Sequence, residues 1–482
     1  MDAALEKRIK RQVIGKQHRF LAVSPLGFEQ TLVKELELIS TEPSAELPHV
    51  TGDGKVEFTA KITEAWRIVA YSRIANRVLM EVANFKAENF RELEKKASEI
   101  PFELYLATNH QPLTTIHVTC KHSRLYHSDA IAERLHKIIE GGSLPLAPSR
   151  RENGPSVLQT KDERKSAKAA SRLDYATPSA GTPRNAPPQN LYVNFLDDRC
   201  TIWIDLAGEE LYKRGHERFV NEAPLKETIA AAMLFEAFDA TAQATNNVIP
   251  DPVPGPPYTL LDLMSGSGTF SLEAAYIANK LIPGVCRDFA LKHHPAFKEA
   301  TWNFITRSVT LSETKGPVKS CKAFATIKKI ITSDISERAV NIIKHNVESS
   351  PLASIAPPPI NPQLKDFFSY TAKEISDACV DASPIMLLNP PYGKRLDFDA
   401  PKLYTKIGKK LTELANNLAA FNKRLTVAIL APKDDTRNGA KYTCTTNLLR
   451  ECPALSPEHN PSAKIIETSH GGLSLNAIIA IV

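Results

Sequence analysis

Apolar residues fall into two periods along this chain, and the order in which those periods alternate divides it into parts. Near the start, Phe20-Leu21-Ala22-Val23 predicts a short strand, and Phe28, Leu32, Leu36 and Ile39 follow at helical spacing. Strand Val56-Glu57-Phe58, a helix through Ala65, Ile68, Val69 and Tyr71, strand Ile116 to Thr119 and helix Ile131 to Ile139 continue an α+β pattern without internal repeat. From Gly141 to Asn190 prolines, serines and mixed charges replace any periodicity, which predicts a mobile, disordered insertion. Leu191 to Phe195 and Cys200 to Ile204 then predict two strands around a turn at Asp197-Asp198.

After Gly208 the pattern changes. A helix is predicted from Pro224 to Ala240, followed by a proline-rich loop from Pro250 to Pro257. Strands at Thr259 to Leu263, Lys329 to Ser333, Ile385 to Leu388 and Leu425 to Leu430 are separated by helical segments, which predicts a parallel sheet covered on both faces. Leu473 to Val482 would add a last strand. The expected division is an N-terminal region over 1–70, a second α+β domain over 71–207 and an α/β domain over 208–482.

Composition narrows the class. With 482 residues, 43% hydrophobic and 24% charged, the chain is expected to fold as a soluble protein of two or three domains, and no apolar run is long enough to span a bilayer. The basic start (Lys7, Arg8, Lys10, Arg11, Lys16) is interrupted by Asp2 and Glu6 and leads into no signal-type apolar segment, so a cytoplasmic protein is expected. Seven cysteines stand singly without zinc spacing, so no metal site is expected. A net charge of +6 permits nucleic-acid binding without establishing it.

Candidate chemistry sits at strand ends. After Tyr258 to Asp262 comes Leu263-Met264-Ser265-Gly266-Ser267-Gly268-Thr269-Phe270, opening a helix through Leu272, Ala275 and Ile277. Glycines let the backbone turn tightly and approach a ligand there, although a plain turn would look the same. No Gly-Lys-Ser/Thr follows, and Ser271 replaces the third glycine of a dinucleotide loop, which disfavours pyrophosphate. Asp262 suits a cationic ligand such as a sulfonium amino acid, or it caps the turn. Asp334 ends the next strand, where it could accept ribose hydroxyls or cap a helix. Asp366-Phe367 offers an acid and a ring that could frame an adenine.

The decisive motif is Asn389-Pro390-Pro391-Tyr392-Gly393 after the strand Ile385 to Leu388. An amino group on an aromatic base is a poor nucleophile because its lone pair is delocalised into the ring. Asn389 Oδ1 and the Pro390 carbonyl can each accept one of its hydrogens, turning the lone pair toward a methyl donor. Pro391 fixes the backbone and contributes no donor. Tyr392 supplies a face for the base. Any exocyclic amine suits this chemistry, so adenine N6 and cytosine N4, in DNA or RNA, remain open beside guanine N2.

At these residues the chain resembles the THUMP-domain class I RNA methyltransferases, in particular the bacterial group that methylates guanine N2 of large-subunit ribosomal RNA. The resemblance is carried by Pro25 to Glu29, Ser72 to Arg77, Arg214-Gly215-His216-Glu217-Arg218 with Ala223 to Glu227, Asp262 to Phe270, Pro283-Gly284 with Arg287 and Phe289, Asp334, and Asn389 to Gly393. It implies a ferredoxin-like and THUMP RNA-binding module before a Rossmann-like domain. It implies that S-adenosyl-L-methionine is held by Asp262, Gly266, Gly268, Thr269 and Asp334, with Asp366 and Phe367 on the adenine side. It implies RNA as partner, with no membrane. The chain departs from the family in its 141–190 insertion, in the proline-rich loops near Pro254 and Pro357, and at His470-Gly471-Gly472, where Asn-Gly is expected. One methyltransferase domain is expected, without a fused second activity. Lysines and arginines cluster after the motif (Lys394, Arg395, Lys402, Lys406, Lys409, Lys410, Lys423, Arg424), as a solvated helix face or as an RNA backbone track. A rival of another class is an RNA-binding assembly factor whose methyltransferase domain is only a scaffold.

Overall fold

The computed structural model describes residues 2–41, 46–107, 114–141, 189–220, 224–244, 257–307, 326–392, 399–435 and 443–482. Most of the expected insertion (142–188), most of the Pro250 to Pro257 loop, and Gly393, Lys394 and Arg395 lie outside the described residues. In chain order the strands are β1 (Gln17–Val23), β2 (Glu46–Gly52), β3 (Lys55–Lys61), β4 (Arg77–Lys86), β5 (Thr114–Lys121), β6 (Gln189–Leu196) and β7 (Arg199–Asp205). They continue with β8 (Tyr258–Asp262), β9 (Ile327–Asp334), β10 (Gln363–Leu364), β11 (Ser383–Leu388), β12 (Thr426–Pro432), β13 (Lys464–His470) and β14 (Leu473–Ile481).

These elements form two compact units. One comprises Met1–Lys16, Leu79–Glu209 and Asp288–Phe297; the other comprises Gln17–Val78, Glu210–Arg287 and Lys298–Val482. In the first, β4, β7 and β6 run antiparallel to one another in that order, and β5 pairs with β6 in parallel. The β6–β7 turn is tight because Asp197 and Asp198 both take positive φ, 49° and 60°, which matches the right-handed twist of the flanking strands. Leu191, Val193, Phe195, Cys200, Ile202 and Ile204 alternate along β6 and β7 and are all buried. The Ser128–Glu140 helix packs on β5 and on the Phe90–Ser98 helix.

The second unit opens with β2, β3 and β1, an antiparallel sheet in which Phe20 and Phe58 pair across strands with ring centroids 5.2 Å apart. The Glu29–Ile39 and Ile62–Tyr71 helices bury the apolar positions that periodicity marks, Leu32, Leu36, Ile39, Ala65, Ile68 and Val69. This small α+β layer is fixed onto the α/β part of the same unit by polar contacts and one close approach. Within the layer, Glu35 is fully buried and holds the loop that carries Arg73, accepting from Ser72 Oγ (2.6 Å), Arg73 N (2.7 Å) and Ile74 N (3.3 Å). Arg73 reaches the Leu281 carbonyl at 2.6 Å and lies 3.6 Å from Glu273. Glu273 takes two hydrogen bonds from Arg214, at 2.9 and 3.1 Å. Gly27, at φ 82°, lies so near the Glu467 carbonyl that a Cβ would sit 2.1 Å from it.

The α/β sheet has the order β10-β9-β8-β11-β12-β14-β13. The first five strands are parallel, as strand–helix alternation predicts. The expectation of an all-parallel sheet is corrected at the other edge. β14 is antiparallel to β12, and β13, whose polar alternation hid it, pairs antiparallel outside β14. The hairpin arises because Gly471 and Gly472, at φ 57° and 77°, reverse the chain directly, leaving no room for a crossover helix. The chain enters at β8, runs outward to β10 and returns through β11, so the order reverses between β8 and β11. That reversal opens a crevice at the carboxyl ends of these strands, where ligands bind in open α/β sheets.

Candidate active site

Three strand ends meet at that crevice. β8 is buried along its length and ends at Asp262, which is level with Leu387 of β11 on one side and Thr332 of β9 on the other. Asn389 and Asp334 therefore each stand two residues beyond the level of Asp262, flanking it on neighbouring strands. At about 4.8 Å between strands, the three functional ends lie within about 10 Å across the sheet.

The loop after Asp262 is held by its neighbour strand. Ser265 donates from N (3.1 Å) and Oγ (2.8 Å) to the Ser333 carbonyl, and Gly266 N donates to Asp334 Oδ2 at 2.8 Å. Gly266 (φ 55°) has open space where a Cβ would stand, whereas Gly268 (φ 78°) would bring its Cβ to 3.0 Å from Ile343. One glycine thus leaves room for a ligand and the other allows close packing. Asp334 also accepts from Ser336 N at 2.9 Å, while Ser336 itself caps the Glu337–Glu348 helix.

Asp262 is 1% exposed, and its Oδ2 accepts from Ser271 N (3.1 Å) and Ser271 Oγ (2.7 Å). Its Oδ1 finds no hydrogen-bond partner among the described residues. Burial pushes this carboxyl up to about 7, against the pull of the Ser271 bonds and with a further push from Asp334. A buried, half-satisfied carboxylate at a crevice is suited to a cationic ligand.

Asn389 is half-buried, and its Oδ1 is buried without a hydrogen-bond partner among the described residues. Pro390 is buried and Pro391 exposed. Tyr392 is 7% exposed with its hydroxyl likewise unpartnered, and burial raises that hydroxyl to about 12, so it stays protonated. Asp366 caps its turn by accepting from Phe368 N at 3.0 Å. Phe367 is buried in the apolar core with Leu261 and Leu263, and Phe368 beside it is half-buried. Thr269 is buried, and its hydroxyl accepts from the Arg218 guanidinium.

Arg218 also pairs with Glu227 and reaches Ser267 Oγ at 3.3 Å, so it ties the glycine loop to the helix Glu227–Ala244. Residue-by-residue reading overlooked it, and its signal was the spacing of two arginines, Arg214 and Arg218, ahead of a helix. Asn346 was overlooked too. It is fully buried at an apolar spacing with Ile342 and Ile343, and its amide donates to the Ser267 carbonyl at 3.1 Å.

Residues 214–443 match the family model described as UPF0020, RMKL-like, methyltransferase domain. Residues 19–79, which pack against this segment, match a model described as RlmL ferredoxin-like domain. The chain is similar to Ribosomal RNA large subunit methyltransferase K/L of Allochromatium vinosum, 27% identical over 402 residues, 82% of this chain and 46% of the relative. The protein of that name from Shewanella amazonensis is 25% identical over 404 residues, 82% and 47% of the two chains. The chain thus spans about half the length of the curated relatives it matches. Among solved structures, SMU.472 in complex with SAH superposes with a TM-score of 0.64 at 22% identity, covering 96% of this chain and 98% of that one. A protein from Clostridium difficile 630 gives 0.62 at 20%, with 96% and 98% covered. These likenesses establish a class I methyltransferase fold.

The crevice fits the S-adenosylmethionine that the sequence reading expects. Asp262 Oδ1 is an unpaired buried acceptor for a cation, and Gly266 leaves its surroundings open. Among the described residues no helix is long and apolar enough to cross a membrane, and no group of three or more His, Cys, Asp or Glu could hold a metal ion. In the Ala400–Ala419 helix Ile407, Leu411, Leu414 and Leu418 are buried, while Lys402, Lys406 and Lys409 are exposed along one face.

Proposed function

We propose that this chain transfers a methyl group from S-adenosylmethionine to the exocyclic N2 amine of a guanine in large-subunit ribosomal RNA. The observation that carries the reading is the buried, unpaired Asn389 Oδ1 beside Asp262, whose Oδ1 is also buried and unpaired. When bound, the cofactor supplies an electrophilic methyl group. Asp262 and Asp334 would hold it, with Gly266, Gly268 and Thr269 shaping the loop and Asp366 and Phe367 on the adenine side.

Asn389 Oδ1 and the Pro390 carbonyl accept the two amine hydrogens, and this orients the nitrogen lone pair. Pro391 keeps the backbone rigid, and Tyr392 supports the base. A bound S-adenosylmethionine would supply the methyl carbon, its bond to sulfur giving way to the new bond to nitrogen, and the surplus amine proton would pass to water. Asn389 is not a base, so its contribution is orientation.

Similarity to ribosomal RNA methyltransferases and the lysine face of the Ala400–Ala419 helix support RNA as substrate. Residues 71–207 are proposed as a THUMP-like RNA-binding domain, 1–70 as the ferredoxin-like region and 208–482 as the catalytic part, in a cytoplasmic protein. The test is incubation of the chain with large-subunit ribosomal RNA and tritiated cofactor, followed by nucleoside mass spectrometry. N2-methylguanosine is expected. Label on adenine or cytosine overturns the substrate, and absence of cofactor binding leaves only an RNA-binding assembly factor.

A further inference from the structure

Beside the glycine loop one aromatic residue is held firmly and left open to solvent. Phe219 is 46% exposed, yet its N–H donates to Asn346 Oδ1 at 2.8 Å and its carbonyl accepts from Asn346 Nδ2 at 2.9 Å. That amide nitrogen also donates to Ser267 of the glycine loop. A fully buried asparagine thus uses both ends of its amide to fix the backbone of an exposed phenylalanine. The ring is fixed as well, stacked on His345 with centroids 3.7 Å apart and planes within 10°.

Phe219 and His345 form one end of an open groove of about 460 Å³, lined also by Glu337, Arg338, Asn341 and Ile342 of the Glu337–Glu348 helix. Arg338 and Asn341 are exposed, and no hydrogen bond or ion pair engages the Arg338 guanidinium among the described residues. The groove begins at Glu337, three residues after Asp334. Its chemistry is a flat aromatic face, an unpaired guanidinium and amide and carboxylate groups for a base edge. An unpaired nucleotide presents the complementary set: a π-face, a phosphate and polar edges. An apolar peptide would leave Arg338, Asn341 and Glu337 without partners.

We propose that Phe219, stacked on His345, is a platform for an unpaired base of the RNA flanking the target nucleotide, with Arg338 contacting the adjoining phosphate. This rests on the reading of the substrate as RNA. The test uses the full chain and its Phe219→Ala, Phe219→Trp and Arg338→Ala variants. Steady-state methylation of large-subunit ribosomal RNA gives KM and kcat, fluorescence anisotropy gives the affinity for a fluorescein-labelled unstructured 12-nucleotide RNA, of roughly the site size of such grooves, and calorimetry gives the affinity for S-adenosylmethionine. Phe219→Ala is expected to raise KM and the oligonucleotide Kd about tenfold, with kcat and cofactor affinity within about twofold, and Phe219→Trp to restore both. Arg338→Ala should weaken oligonucleotide binding and flatten its salt dependence by about one unit. Unchanged KM and Kd in Phe219→Ala overturn the platform, as does a parallel loss of cofactor affinity or failure of tryptophan to rescue. If the wild-type chain methylates no RNA, the substrate reading fails, while the oligonucleotide measurement still decides the platform.

Discussion

Two of the carboxylates that this molecule shields almost completely from water, Glu35 and Asp262, differ in what they lack. Glu35, in the small α+β layer, accepts from three donors on one loop, Ser72, Arg73 and Ile74. Asp262, at the crevice, accepts from Ser271 alone and has one oxygen with nothing to bind. Burial pushes both carboxyls upward, so burial does not tell them apart. The unpaired oxygen does. One residue holds two segments together; the other leaves an acceptor open at the crevice.

Four measurements can break or sharpen that contrast. The largest effect is expected at Glu35→Ala, which leaves three donors without an acceptor, at about 1–3 kcal/mol each. Denaturant unfolding should show a loss of about 3 kcal/mol or more; a smaller change would mean the seam relaxes and Glu35 is no anchor. Next is Asn389→Ala, for which methyl transfer should fall about 100-fold or more, near 2.7 kcal/mol, with cofactor affinity unchanged by calorimetry. Wild-type turnover in that variant would remove the orientation mechanism.

Asp262→Asn should weaken cofactor binding about tenfold, about 1.4 kcal/mol, and its pH behaviour separates it from Glu35. The Asp262 carboxyl is raised from 3.8 to about 7, so the folded chain holds that proton more tightly than the unfolded one. Its contribution to stability is therefore greatest below about pH 4, declines as pH rises to about 7 and is constant above. Without cofactor, Asp262→Asn should melt at a higher temperature than wild type at pH 8, and the gap should close toward pH 4. Wild-type cofactor affinity should rise with pH through about 7 and then level off. A lower melting temperature for Asp262→Asn at pH 8 would make Asp262 a second Glu35. The smallest effect is expected for Lys402, Lys406 and Lys409 replaced together by alanine: if all three meet phosphates, the log–log salt slope of RNA binding should fall by about 2.

Much of the crevice was readable because its cues are local. The β8 run followed by Gly266 and Gly268, and the β11 run followed by Asn389-Pro390-Pro391-Tyr392, carry strand period and turn chemistry within a dozen residues. β4 and β13 went unread because Arg77, Glu81, Lys464 and Glu467 interrupt their apolar alternation. The partners of Glu35, Arg73 and Arg214 went unread for another reason. Arg214 meets Glu273 59 residues away and Arg73 reaches Leu281 208 residues away, and no periodicity encodes such distances. The same holds for Asp334, whose bond to Gly266 N spans 68 residues. Phe367 shares its core with Leu261 and Leu263, about 100 residues earlier, a neighbourhood that the local pair Asp366-Phe367 does not encode.

The path of the chain between its two units has a consequence for how the protein is made. The backbone passes from one unit to the other at 16/17, 78/79, 209/210, 287/288 and 297/298. During synthesis from the N terminus, Gln17–Val78 emerges well before Arg214, Glu273 and Glu467, the residues it packs against. β14 completes the α/β sheet from a position between β12 and β13, about 400 residues after Val78, which at 5–20 residues per second is tens of seconds later. The α/β sheet therefore closes tens of seconds after Gln17–Val78 has emerged, around apolar helix faces that stay uncovered until then.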